Sequence, residues 1–181
     1  MAIAPGPTLQ TARLILRPIA EQDLDGWADL MGDAEAARFI GGQQSRASAW
    51  RGMASVAGSW ALNGFGMFSL IEKDTGRWIG RAGPWRPEGW PGTEVGWGLV
   101  RSAWGRGYAV EAAEATMDWA FDVLDWTQII HCIDPANLPS QKVAQRLGST
   151  LLGPGRMPDP FADLPIDLWG QTRDQWRARS R

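Results

Sequence analysis

The segment Trp104-Gly105-Arg106-Gly107-Tyr108-Ala109 stands between a strand-like stretch and a long helix with an apolar stripe. Glycines at such a junction let backbone N–H groups approach an anion. The free N–H groups of the helix's first turn, with its dipole, then make a phosphate site. Arg106 and Arg101 add positive charge nearby. No Lys-Ser or Lys-Thr pair follows at Walker A spacing, and the three-glycine dinucleotide fingerprint is missing. Taken alone, the turn is equally compatible with mere close packing. The single histidine and the single cysteine, His131 and Cys132, are neighbours. Neighbours on a strand point to opposite faces, so these two cannot form a nucleophile–base dyad there. Cys132 reads as a small buried apolar residue. One cysteine excludes a disulfide within the chain, and one histidine removes the His-rich metal constellations, so no metal site is expected.

The elements that must carry these residues follow from periodicity. Arg13 to Arg17 reads as a first strand. Glu21 to Met31 places Leu24, Trp27, Leu30 and Met31 at helical spacing. A second helix starts after Ser45, a plausible N-cap, with Trp50, Met53, Ala57 and Trp60 on one side. Gly66 to Ile71 and Arg77 to Ala82 flank Lys73-Asp74-Thr75-Gly76, a hairpin signal. Trp85 to Gly92 is a turn-rich loop. Glu94 to Val100 is a strand interrupted by Gly96 and Gly98, a mark of a bulge or close backbone approach. Tyr108 to Leu124 is a helix striped with Ala112, Ala113, Met117 and Phe121, and Thr127 to Ile133 a strand. A short helix over 138–147 has Pro139 in its first turn and Gly148 at its end. Two weaker strands near 149–153 and 165–170 precede a basic tail. This order predicts a mixed α/β (α+β) fold.

The chain's 181 residues suit one domain. Eighteen Lys and Arg against twenty Asp and Glu leave a net charge of −2, which gives no bulk electrostatic case for nucleic acid or an anionic membrane. The opening residues, Met1 to Pro7, have neither the basic region nor the apolar run of a signal peptide. No stretch approaches the roughly 18 consecutive apolar residues of a membrane span. A soluble, cytoplasmic protein is therefore expected. Most of the twelve tryptophans are expected to serve packing.

The glycine turn resembles the acetyl-CoA pyrophosphate loop of the GNAT N-acetyltransferase superfamily, whose pattern is Gln/Arg-x-x-Gly-x-Gly/Ala. Gly107 and Ala109 fill its last two places. Trp104 stands where Gln or Arg is usual, as in the RimJ/RimL-type branch with its Trp-Gly-x-Gly-Tyr-Ala run. Thr11 to Pro18 resembles that branch's opening strand, and Arg38-Phe39-Ile40-Gly41-Gly42 the end of its first helical region. Asn137-Leu138-Pro139-Ser140, followed by Leu147-Gly148, resembles its Asn-x-x-Ser helix start and closing Leu-Gly. Together these blocks span about residues 9–150.

The resemblance implies a GNAT-like domain over 9–171, with extensions at 1–8 and 172–181. Its mixed sheet of about six to seven strands should splay at the cofactor site. It also implies direct attack of a primary amine, on a protein N-terminus or a small molecule, on acetyl-CoA. Trp97, Gly98 and Leu99 should line the pantetheine arm. Trp104, Gly105, Arg106, Gly107, Tyr108 and Ala109 should hold the pyrophosphate, and Asn137 should bond the arm. Glu94 is the implied general base, with a solvated edge carboxylate as its plainer reading. Ser140 is the implied proton donor to the leaving thiolate, with a first-turn hydroxyl satisfying helix N–H groups as its alternative. Many relatives use a tyrosine as that acid, but the only tyrosine, Tyr108, lies in the phosphate loop. Ser149 and Leu168-Trp169 stand where the family has an aromatic or large apolar residue and a tyrosine, which bears on the acceptor side. The loops at 85–92 and 157–163 are candidates to border the acceptor pocket; Asp159 and Asp163 read first as solvated loop acids and second as an attraction for a cationic amine. The implied partners are acetyl-CoA and an amine, and the implied assembly a monomer or homodimer. A silent acyl-CoA-binding module and an interaction protein using exposed tryptophans remain the alternatives.

Overall fold

The computed structural model describes residues 6–179; the first five residues of the Pro/Gly-rich start and the last two of the basic tail lie outside them. Strands β1 (Leu9–Gln10), β2 (Leu14–Pro18), β3 (Phe68–Glu72), β4 (Trp78–Trp85), β5 (Glu94–Leu99), β6 (Gln128–Ile133), β7 (Thr150–Gly155) and β8 (Ile166–Thr172) form one mixed sheet in the order β1-β2-β3-β4-β5-β6-β8-β7. Seven are the strands read from periodicity. The eighth, β1, is two residues long, too short to show an alternating pattern.

Helices α1 (Leu24–Gly32) and α2 (Arg46–Asn63) cover one face of the sheet. Their apolar residues Trp27, Leu30, Met31, Ala49, Met53 and Val56 form a core with Met67. Helix α3 (Tyr108–Asp122) covers the other face with Tyr108, Ala112 and Trp119 against Leu14, Phe68 and Ala82. Ser45 caps α2 as expected, its hydroxyl accepting from Ser48 N–H. The buried face of α2 is nevertheless Ala49, Met53, Val56 and Trp60, and Trp50 is 51% exposed. Both stripes run at helical spacing, and the large apolar surface of Trp50 favours the wrong one. Trp60, Phe68 and Trp119 pack with ring centroids 4.9–5.9 Å apart, within the range of favourable aromatic pairs.

Helix α4 (Leu138–Arg146) begins on Asn137, whose side chain accepts from Ser140 N–H. Gly148, at φ +82°, ends it in the left-handed conformation that spares glycine a Cβ clash. Beyond the last strand, α5 (Arg173–Ala178) is capped by Thr172 and Gln175. Its Trp176 is 1% exposed against Phe121.

The feature that positions the site is a tear in the sheet. Strands β5 and β6 are parallel neighbours that register at one residue pair, Glu94 with Ile130. Around it Ile130 N–H donates to Thr93 O at 2.9 Å. Past Glu94 the two strands diverge, which is the splay the resemblance implied.

Candidate active site

Backbone direction in β5 follows from its pairing with β4. Residues of an antiparallel strand alternate between bonding one neighbour and facing the other. Val95 lies opposite Pro84, which has no N–H to give, and the Val95 carbonyl turns instead toward β6. By the same alternation Trp97 and Leu99 face the tear, whereas Gly98 bonds β4.

The tear is bridged by side chains. The His131 imidazole donates from Nδ1 to Val95 O at 2.7 Å, and its Nε2 meets Ser149 Oγ at 2.9 Å. Because a carbonyl can only accept, the proton sits on Nδ1. Nε2 accordingly accepts from the Ser149 hydroxyl, whose oxygen accepts Gln171 Nε2–H at 2.8 Å. His131, Ser149 and Gln171 are each at most 3% exposed. Burial pushes His131 down to about 4, against a smaller opposing pull from Val95 O, so it is neutral at pH 7. This explains the small polar residue at 149 and removes His131 from proton transfer. Ser149→Ala is expected to cost ~1–3 kcal/mol by leaving Nε2 and one Gln171 proton unpaired. Thermal unfolding checks this, and turnover should change less than threefold.

Glu94 is 7% exposed. Its Oε1 accepts from Cys132 N–H at 3.1 Å, where a strand neighbour would have paired, and its Oε2 accepts from Trp90 Nε1–H at 2.5 Å. Burial raises its pKa, partly offset by these two donors and the charge of Arg81. Cys132 is pushed upward by burial and by Glu94, so its sulfur is a neutral thiol; the residue is half-buried in the cavity wall, not the fully buried packing residue expected from the sequence. Trp97 Nε1 donates to Ser140 Oγ at 3.2 Å. A hydroxyl that accepts from an indole keeps its own proton to donate.

Two cavities meet at these residues. One, about 460 Å³, lies under α1 and α2 and holds Glu94, Arg81, Cys132, Trp27, Trp85 and Trp90 in its wall. Both loops read as bordering a pocket contribute to it, through Pro87, Glu88, Met157, Asp159 and Phe161; Asp163 does not. The other, about 630 Å³, is a cleft lined by Gly98, Leu99, Trp104, Gly105, Gly107, Tyr108 and Ala109. Trp97, Asn137 and Ser140 line both. Five of the twelve tryptophans therefore face a cavity, more than packing alone implied.

The cleft fits a phosphate-bearing ligand through its backbone. Gly107 caps α3 at φ +81° without a side chain, so the first-turn N–H groups of Tyr108, Ala109 and Val110 have no intrahelical acceptor. The Trp104 indole donates to Leu99 O at 2.8 Å and ties the loop to β5. Asn137 spends its carbonyl on capping α4, which leaves its amide protons for a ligand.

The arginine expectations need correction. Arg106 does not line the cleft; its Nη1 lies 3.0 Å from the Glu72 carboxylate. The Tyr108 hydroxyl also donates to Glu72, so Tyr108 offers its backbone, not its phenol. Arg101 pairs with Asp33 at 2.6 Å. The cations in the cleft wall are instead Arg38, Lys142 and Arg146. Lys142 and Arg146 are four apart on α4, a spacing that puts both on one face and was legible once that helix was placed. Trp90, the donor to Glu94, stood in a loop with no periodic signal. Among the described residues no cluster of His, Cys, Asp and Glu is arranged to hold a metal ion, and no helix is long and apolar enough to cross a membrane.

Known proteins resemble this arrangement along most of the chain. The acetyltransferase (GNAT) domain family matches residues 13–150. The uncharacterized N-acetyltransferase p20 of Bacillus licheniformis is 32% identical over 143 residues, 77% of this chain and 80% of that protein. The crystal structure of an acetyltransferase from Agrobacterium tumefaciens superposes with a TM-score of 0.83 at 33% identity, covering 92% of this chain and 95% of the other. The ribosomal-protein-S5-alanine acetyltransferase of Vibrio fischeri shares the fold, with a TM-score of 0.74 at 19% identity over 94% and 98% of the two chains. Since the family match runs from the residue before β2 to the first residue of β7 and so takes in most of the chain, the chain belongs to the GNAT family of acetyltransferases.

Proposed function

We propose that the protein moves an acetyl group from acetyl-CoA directly to a primary amine in a cytoplasmic ternary complex. The observation that carries this reading is the junction of the two cavities at Trp97, Asn137 and Ser140. A buried carboxylate lies on one side of it and the glycine-capped helix start on the other. The cleft receives the CoA, with its phosphates at the loop 104–109 and near Lys142 and Arg146. Acetyl-CoA supplies the activated thioester; the chain supplies position and proton transfer.

Glu94 takes one proton from the incoming ammonium, leaving a free amine in the buried cavity. Its raised pKa suits it, because a base is most effective when its pKa lies nearer the working pH. The backbone N–H of Trp97 or Leu99, turned into the tear, donates to the thioester oxygen as charge develops there. The N–C bond forms and the C–S bond breaks. Ser140 gives its proton to the departing sulfur and regains one from the nitrogen as the amide forms. One proton is released in net. Holding both reactants at the junction supplies a further part of the rate.

Thermal unfolding with acetyl-CoA tests the cofactor half. Ligand at 100 times its dissociation constant adds about 2.7 kcal/mol, which for a domain of this size raises Tm by roughly 5–10 °C. Gly107→Val forces a branched side chain to a positive φ and blocks the loop, so its acetyl-CoA shift should vanish. No shift in the wild type at millimolar acetyl-CoA would sink the reading. A shift without CoA release across a broad amine panel would favour the silent binding module.

A further inference from the structure

Arg81 is the only lysine or arginine among the described residues lining the Glu94 cavity, and it forms no salt bridge, feeling Glu94 only at longer range. Its Nε is buried without a hydrogen bond, and Nη1 meets only the Met67 sulfur, at 2.7 Å. The guanidinium lies 4.8 Å from the Trp27 ring centroid. The Trp27 Nε1–H, on a residue 2% exposed, also lacks an acceptor. Buried charges and donors are normally paired, since leaving them unpaired is costly. A cation in the cavity wall with no carboxylate bonded to it calls for an anion from outside the chain. Glu94 does not serve, because it forms no ion pair with Arg81 and turns its oxygens to Trp90 and Cys132.

Glycines lie beside both groups, Gly96 in the cavity wall next to Glu94 and Gly98 opposite Arg81 across β4 and β5. A Cβ at Gly96 would stand 3.4 Å from Glu94 Oε1, and one at Gly98 4.0 Å from Arg81 Nε. Glu94 and Arg81 line the same cavity and feel each other's charge, so one small molecule carrying an amine and a carboxylate can meet both. Trp85, Trp90, Phe161 and Leu164 provide apolar wall for a side chain, and the acids Glu88 and Asp159 are exposed at the rim.

We propose that the acceptor is a small carboxylate-bearing primary amine, an α-amino acid or close analogue with an apolar side chain. Its carboxylate seats on the Arg81 fork and its amine faces Glu94. The inference rests on the acetyl-transfer reading of the site and uses the same step, ending in an N-acetyl amino acid and the CoA thiol. A peptide N-terminus offers a neutral amide where this site needs an anion.

CoA release with saturating acetyl-CoA tests it with L-phenylalanine, L-leucine, phenethylamine and L-phenylalaninamide as acceptors. In the wild type, kcat/KM for the two amino acids should exceed that for the two uncharged analogues at least tenfold. Arg81→Met should erase the gap while keeping the acetyl-CoA melting shift, and Arg81→Lys should restore part of it. Binding gives a readout without turnover: with CoA present, L-phenylalanine should add a further melting shift that phenethylamine does not. Equal acceptors, a preference for phenylalaninamide, or no added shift at tens of millimolar amino acid would each overturn the proposal. Arg81→Met should melt no lower than the wild type, because it removes an unpaired buried charge. A drop of more than 5 °C with acceptor preference intact would assign Arg81 to packing on Trp27. Absence of any acetyl-CoA shift would instead defeat the acetyl-transfer reading itself.

Discussion

Glu94→Gln is expected to lower turnover about 10²–10⁴-fold at neutral pH, the usual contribution of a positioned general base. The defect should shrink as pH rises, because more amine then arrives already deprotonated. Wild-type turnover should rise with pH through the raised Glu94 pKa, and the variant should lack that limb. Stability should move the other way. A carboxyl whose folded pKa is raised binds its proton more tightly in the folded state than in the unfolded chain. Above the ordinary carboxyl pKa the wild type therefore loses stability with rising pH until the raised pKa is passed. Gln imitates the neutral form and is free of that loss. The variant should thus melt higher than the wild type at pH 7–8, with the difference closing toward pH 4. Parallel pH–rate and melting series check both halves. A variant with wild-type turnover would remove Glu94 from proton transfer.

The second large effect lies far from the chemistry. Trp176→Ala is expected to cost ~3–5 kcal/mol, the range for truncating a buried aromatic residue. At this size that lowers Tm by roughly 6–20 °C. Trp176 packs on Phe121 of α3 with centroids 6.1 Å apart, and its Nε1 donates to Asp118 Oδ1 at 2.7 Å. A loss below 1 kcal/mol by denaturant unfolding would show that the C-terminal helix is not part of the core. Because α3 also opens on Gly107, the acetyl-CoA shift in this variant separates a weakened domain from a damaged loop.

The sequence revealed what depends on local spacing. Alternation and turn residues placed β2 to β8, and the glycine turn with Asn137 placed the two helix starts that frame the cleft. It revealed less where the answer depends on distant partners. Arg106 looked like a phosphate ligand because it sits between two glycines, yet Glu72, on the far side of the hairpin, claims it. Trp50 outweighed Ala49 in apolar area, though the sheet selects the face one residue over. The run after Thr172 is rich in Arg and reads as a basic tail, but its single Trp176 packs on Phe121 and bonds Asp118 of α3. Glu94 and Ser140 were legible only through the resemblance. Their hydrogen bonds to Trp90, Cys132 and Trp97 join segments that no short window contains.

The divergence of β5 from β6 leaves open edges in the middle of a sheet. An unpaired edge is a template for another chain, and outer edges are commonly guarded by charge, proline or brevity. Here the outer strands are guarded in that way, by a two-residue β1 and by Pro154 in β7. The inner edges are guarded by the Glu94 carboxylate on Cys132 N–H and the His131 imidazole on Val95 O. The residues that bridge the tear therefore also keep a stray strand from entering it, and their identities answer to solubility as well as to the shape of the cavities.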